Sequence, residues 1–178
     1  MLLTVRDNYP DLYRDFRWKV PRRFNIGTAV SDDWAAREPD RIALIAHRGD
    51  AEPDTMSYRQ LAERSSALAA SLAGRGVRRG DRVALLLPQG FAVAVAHAAI
   101  YKAGAVAVPL ALLFGVEALE YRLHAAGVRA IVTNAAGLAK VRAIAGRLPE
   151  LELIVSTDGA DAGALDFEAL AARPDPDF

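Results

Sequence analysis

The 178-residue chain contains no cysteine, which excludes disulfides, thiolate catalysis and cysteine-ligated metal and fits a reducing cytoplasm. It also lacks an excess of either charge: Lys+Arg and Asp+Glu both number 22, so no net field draws the whole chain to nucleic acid or to an anionic membrane. Only three histidines (His47, His97, His124) and three lysines (Lys19, Lys102, Lys140) are present. The histidines are too dispersed for a local metal site, no H-E-x-x-H occurs, and no lysine sits in a Walker loop. The N-terminal "MLLTVRDNYPDLYRDFRWKVPRRF" is too charged and too aromatic to read as a signal peptide. The charge-free run Val83–Tyr101 is cut by Pro88-Gln89-Gly90 and reads as a strand and a separate helix, not a membrane span.

What is present is a packed domain. Hydrophobic residues make up 52% of the chain and charged residues 25%, and this length suffices to bury roughly 70% of the unfolded surface. After a polar leading segment, Asn25 caps a predicted helix over 26–37 that stops at Glu38-Pro39. Ile42–Ala46 and 55–57 pair as strands around the polar turn "HRGDAEPD". Ser57 and Gln60 form a capping box. The helix they open carries Tyr58, Leu61, Ala62, Ser65, Leu68, Ala69 and Leu72 on one face, a buried stripe that ends at Gly74 and Gly76.

From there strands and helices alternate. Strand 83–87 is continuously apolar, as in a parallel strand covered on both faces. Helix Phe91–Lys102, apolar nearly all round, should lie deep. Strand 106–108, helix 116–126, strand 130–133, helix 135–147 and strand Leu153–Ser156 follow, with a last helix over 167–172 in a looser tail ending "RPDPDF". The fold class is therefore α/β, a mostly parallel sheet with flanking helices.

The motifs that could carry chemistry fail on context. "GRGVRRG" (Gly74–Gly80) has the glycines of a dinucleotide loop but follows a helix and precedes a strand, the reverse of the order that points a helix N-terminus at phosphates. It reads as a helix stop. "RGD" occurs at 48–50 and 79–81 as turn formers. His97, inside an apolar helix, reads as a core histidine; Glu120 and His124 read as a solvated i, i+4 pair. Ser57 has no G-x-S-x-G elbow around it. No catalytic, cofactor-binding or metal residue is assigned from residue chemistry.

The order of segments does resemble a family. "FNIGTAVSDDWAAREPDRIALI" (24–45), "MSYRQLAERSSALAASLAGRGVRRGDRVALLLPQG" (56–90) and "YKAGAVAVPLALLFGVEALEYRL" (101–123) are similar to the start of the AMP-forming acyl-CoA synthetases, among the adenylate-forming enzymes. The resemblance runs from about Tyr9 to Phe167. It implies a leading segment, 1–24, and an N-terminal subdomain of an AMP-binding synthetase domain, 25–178, truncated before the phosphate loop. It implies a full-length enzyme that uses ATP, Mg²⁺ and CoA on a carboxylic acid. The Phe114-Gly115 variant suggests short or medium aliphatic, or aromatic, acids. The family's Ser/Thr/Gly-rich loop ending in Pro-Lys has no counterpart here, so the chain is expected to be inactive alone. "YKAGAVAVPL" then reads as scaffold. The alternative is a non-catalytic α/β module for dimerisation or partner binding. In a complete synthetase later parts would cover strands 83–87 and 106–108, so here that cover is expected to be missing on at least one side and the chain to self-associate or need a partner.

Overall fold

A computed structural model describes residues 5–47, 49, 52–161 and 163–172. The leading segment holds a short helix that the sequence reading left as polar chain: α1 (Tyr9–Asp15), capped by Asn8, whose side chain accepts from the Asp11 N–H. It buries no residue, and its aromatic Tyr9 and Tyr13 lie outward, so periodicity gave no core face to detect.

The predicted helix over 26–37 is two helices, α2 (Ile26–Val30) and α3 (Asp32–Arg37). Ser31 breaks it. Its hydroxyl bonds the Gly27 carbonyl at 2.7 Å and Asp32 at 2.9 Å, offering the backbone an alternative to the next helical turn. A two-stranded antiparallel ribbon follows, β1 (Ile42–Ala46) with β2 (Asp54–Ser57). Arg48, Asp50 and Ala51 of the turn between them, and with them two residues of the first "RGD", lie outside the described residues, as does "RPDPDF". Helix α4 (Tyr58–Ala73) starts at Ser57 with both bonds of the capping box in place, and the predicted stripe is its buried face.

The main sheet is parallel throughout, in the order β4 (Val106–Pro109), β3 (Arg82–Leu86), β5 (Val128–Thr133), β6 (Leu153–Ser156), β7 (Leu165–Asp166). Helix α5 (Phe91–Lys102) carries β3 to β4, α6 (Val116–Ala125) carries β4 across to β5, and α7 (Ala135–Arg142) carries β5 to β6. The helix predicted over 135–147 gives way at Ala143 to one 3₁₀ turn, Ala145–Arg147, that swings Ile144 into the core ahead of Gly146 and Pro149. The two-residue β7 and α8 (Phe167–Ala171) close the chain.

Two cores result. Helices α4, α5 and α8 cover one face of the sheet, with Leu68, Leu72, Ile100 and Phe167 fully buried, and α6 and α7 cover the other through Leu119, Leu123 and Ile144. The expectation that β3 would be uncovered is wrong. Val83 to Leu86 are at most 2% exposed, because the right-handed crossovers β3 to β4 and β4 to β5 run in opposite directions along the sheet and place α5 and α6 on opposite faces. The strand β4 does form an edge, with Val106 48% exposed.

Candidate functional site

The connections of β3 and β5 run in opposite directions, so the strand order reverses between them. In open α/β sheets ligands bind outside the carboxyl ends of strands near such a reversal. Here Thr133 ties the two strands, its hydroxyl donating to the Leu86 carbonyl at 3.0 Å. Asn134 caps α7 through the Gly137 N–H, and Asp158 accepts from the Ala135 N–H. Gly137 is required there: a Cβ would run into Thr133 and Leu86.

Beside this point, on the α5 side, lies a cleft of ≈ 500 Å³. The ends of β3 (Leu85, Leu87) and β4 (Pro109, Leu110) form its floor, Phe91, Ala94 and His97 of α5 one wall, and Leu44 to His47 of β1 another. Among the described residues no Asp, Glu, Lys or Arg lines it. The polar side chains are Gln89, His47 and His97, so the fold gathers two of the three dispersed histidines into one cleft. His97 is not the sealed core residue the sequence suggested. It is partly exposed on the cleft wall, its ring 5.7 Å from that of Tyr101, and its Nδ1 is buried without a partner among the described residues. Burial pushes its pKa below the ordinary 6.5, which keeps the imidazole neutral at neutral pH. Such a lining suits an uncharged or apolar group and cannot balance a polyphosphate. Among the described residues no three His, Asp or Glu side chains gather into a metal site.

The other candidates resolve into structure. From Gly74 to Asp81 every backbone N–H except that of Arg79 is donated within the protein, several to carbonyls at the end of α4 and one to Asp81. A phosphate would find almost no donors. Glu120 pairs with Arg147 at 2.7 Å, which holds its carboxyl below the usual range; the expected His124 contact adds only a weak field. Lys102, part of the motif that carries the family resemblance, is a buried tie. Its ammonium donates to Asp32 (2.9 Å), Ser66 (2.8 Å) and the Ala62 carbonyl (3.0 Å), binding α5 to α3 and α4. Periodicity could not have revealed that role, since its partners lie on two other helices.

The family model for AMP-binding enzymes matches residues 31–177, and the chain belongs to that family. Among curated relatives it is 33% identical over 141 residues to the human mitochondrial acetyl-coenzyme A synthetase 2-like protein, covering 78% of this chain and 19% of that protein. It is 42% identical over 110 residues to the salicyl-AMP ligase / salicyl-S-ArCP synthetase of Mycobacterium tuberculosis, covering 61% of this chain and 18% of the other. Among solved structures it resembles the anthranilate CoA ligase AuaEII in complex with anthranoyl-AMP (TM-score 0.74, 27% identity, 87% of this chain and 29% of that one). The acetoacetyl-CoA synthetase from Streptomyces lividans superposes with a TM-score of 0.77 at 26% identity, over 84% of this chain and 25% of that one. The chain thus spans less than a third of the length of these relatives.

Proposed function

We propose that the chain is the N-terminal part of an AMP-forming acid–thiol ligase and does not activate an acid by itself. Residues 1–24 are its leading segment and 25–178 an N-terminal subdomain that stops before the phosphate loop. In the whole enzyme a carboxylate oxygen attacks the α-phosphorus of ATP, the bond to pyrophosphate breaks, and the acyl-adenylate then passes its acyl group to the CoA thiol with release of AMP. This part supplies the sheet and the uncharged wall of a cleft at its carboxyl end; the groups that grip ATP, Mg²⁺ and CoA lie elsewhere. The observation that carries the reading is the charge-free cleft on a family-matched parallel scaffold. Phosphoryl chemistry needs positioned cations around the phosphates, and no cationic side chain among the described residues lines this cleft.

The acid is proposed to be short or medium aliphatic, or aromatic. Relatives named for acetyl, salicyl and anthraniloyl groups support that range. No helix among the described residues is long and apolar enough to cross a membrane. A cytoplasmic location is proposed from the missing cysteines, and fractionation of the native host checks it, since mitochondrial proteins stand among the relatives. Self-association, if it occurs, runs through the β4 edge and the exposed N-terminal residues instead of β3.

The test is acid-dependent exchange of labelled pyrophosphate into ATP. Purified chain should give none with acetate, propionate, salicylate or anthranilate. Reproducible exchange that depends on added acid would overturn the assignment of the essential groups to the rest of the enzyme. The same sample, sedimenting as a compact dye-negative monomer at roughly tens of micromolar, would remove self-association.

A further inference from the structure

At the opposite end of the sheet from the cleft lies a second concavity, of ≈ 920 Å³, between the N-terminal segment and the carboxyl end of α5. Among the described residues four cationic side chains line it and no carboxylate does. Lys102 is neutralised by Asp32, but Arg22, Arg23 and Arg79 have no hydrogen-bond or ion-pair partner among the described residues. Eight other arginines (Arg6, Arg14, Arg41, Arg59, Arg64, Arg129, Arg142 and Arg147) hold carboxylates, so these three are among the charges left to an outside partner. The neutral charge of the whole chain hides a local run: "FRWKVPRRF" (16–24) carries four cations and no acid.

The carboxyl end of α5 favours a nearby cation, which accounts for Arg79 at the helix end but not for Arg22 and Arg23, which arrive from another segment. Arg79 is also held in place. Its aliphatic stem lies against Gly104, where a Cβ would approach its Cγ to 3.2 Å. The same groove is lined by apolar side chains left open to water, Phe24 at 69% exposure and Ile26 at 52%.

We infer that this groove is a docking site for an acidic polypeptide segment of a partner chain, its carboxylates paired with Arg22, Arg23 and Arg79 and an apolar side chain laid between Phe24 and Ile26. Guanidinium clusters recognise acidic motifs through paired N–H donors, and the absence of any lining carboxylate leaves the occupant to supply them. The concavity suits a protruding segment over a flat bilayer, and the apolar wall is wasted on a bare anion. The inference stands independently of the ligase reading.

The test is fluorescence anisotropy with a labelled peptide alternating glutamate and leucine, on the intact chain. Saturable binding is expected, weakening as salt is raised. Arg22→Glu with Arg79→Glu should weaken it about ten-fold or more and transfer binding to the matching lysine–leucine peptide. Arg75→Glu should change nothing, because the Arg75 guanidinium is committed to the Ser71 carbonyl. Should the charge-reversed variant lose its circular dichroism, Arg22→Ala with Arg79→Ala gives the same reading without the lysine arm. No saturable binding overturns the inference, as does equal loss in Arg75→Glu. Full displacement by equimolar pyrophosphate would make the groove a simple anion site, and preference for phosphatidylserine vesicles over the peptide would make it a lipid surface; either result also overturns it.

Discussion

The Lys102 tie makes a prediction that separates a buried charge from an ordinary contact. The Lys102 side chain is 4% exposed and that of Asp32 37%, with 2.8 Å between them. Removing one member of a buried pair costs about 3–5 kcal/mol because it strands the other charge. The two members are not equivalent here. Asp32→Ala leaves an ammonium in the interior with only Ser66 and the Ala62 carbonyl; since the lost partner was partly screened by water, the cost is about 2–3 kcal/mol. Lys102→Met leaves a carboxylate that water already reaches and keeps the packed stem, so it costs about 1–2 kcal/mol. Asp33→Ala, in the same first turn of α3, subtracts the helix-dipole share. The sign with pH follows. Burial already lowers the Lys102 pKa from its ordinary 10.5, with Asp32 opposing, so loss of Asp32 lowers it further. A folded-state pKa below the unfolded one means that the folded protein binds fewer protons and gains stability as pH rises towards the lysine range. Urea unfolding followed by circular dichroism should therefore place Asp32→Ala below Lys102→Met at pH 7, with the deficit of Asp32→Ala narrowing by about pH 9.5. If Lys102→Met is the worse variant, or the deficit of Asp32→Ala does not move with pH, the ammonium is not held as a stranded charge and the reasoning fails.

Gly27→Ala should lower the thermal midpoint, costing about 1–3 kcal/mol by pushing α2 off α5, because its Cβ would sit 2.6 Å from the Ala98 carbonyl oxygen and 2.7 Å from the Lys102 nitrogen. Gly146→Ala, where a Cβ meets nothing within 4 Å, should be close to neutral, and equal losses would refute the packing argument. His97 has a depressed pKa, so its neutral form stabilises the fold above the ordinary 6.5 and that share is lost as pH falls through the folded value. The drop in urea midpoint between about pH 7.5 and 5.5 should accordingly be smaller in His97→Phe than in the parent, and an unchanged drop would assign the acid sensitivity to other groups.

Much of the scaffold was legible because its signals are local. The Ser57–Gln60 capping box, the apolar run of β3 and the all-round apolar α5 each report their own burial, and all three stand as read. The failures came where a distant partner or a single side chain decided the outcome. Ser31 looked like a tolerable helix residue, but its hydroxyl takes the Gly27 carbonyl and splits the helix. The helix α1 presents no buried face and so left no periodic trace. The cover over β3 depends on crossover handedness, which makes α5 and α6 lie on opposite faces and which no residue encodes singly. The cleft was invisible for the same reason: His47 and His97, fifty positions apart, share a wall only once β1 has folded over the end of β3.

The stretch "YKAGAVAVPL" gathers these lessons, since it carries the family resemblance and its contacts tie the scaffold together. The ammonium of Lys102 ties three helices, and its carbonyl accepts from Asn25 at 3.0 Å, so the cap of α2 is fastened to the end of α5. Gly104 takes φ +68, reverses the chain, and accepts the Gly80 N–H at 3.0 Å, which sets β4 beside β3. The N–H groups of Val106 and Leu110 both turn towards β3, to the Asp81 and Leu85 carbonyls. Strand alternation therefore points those of residues 107 and 109 outward. The second is proline. The free edge of β4 thus offers the Ala107 donor and none at the next outward position, which weakens it as a template for another strand. The same Pro109 ends the strand at the floor of the cleft. A residue set without a nucleophile or metal ligand can still be closely specified, because it must close a helix, fix a register, blunt an edge and shape a floor within ten positions.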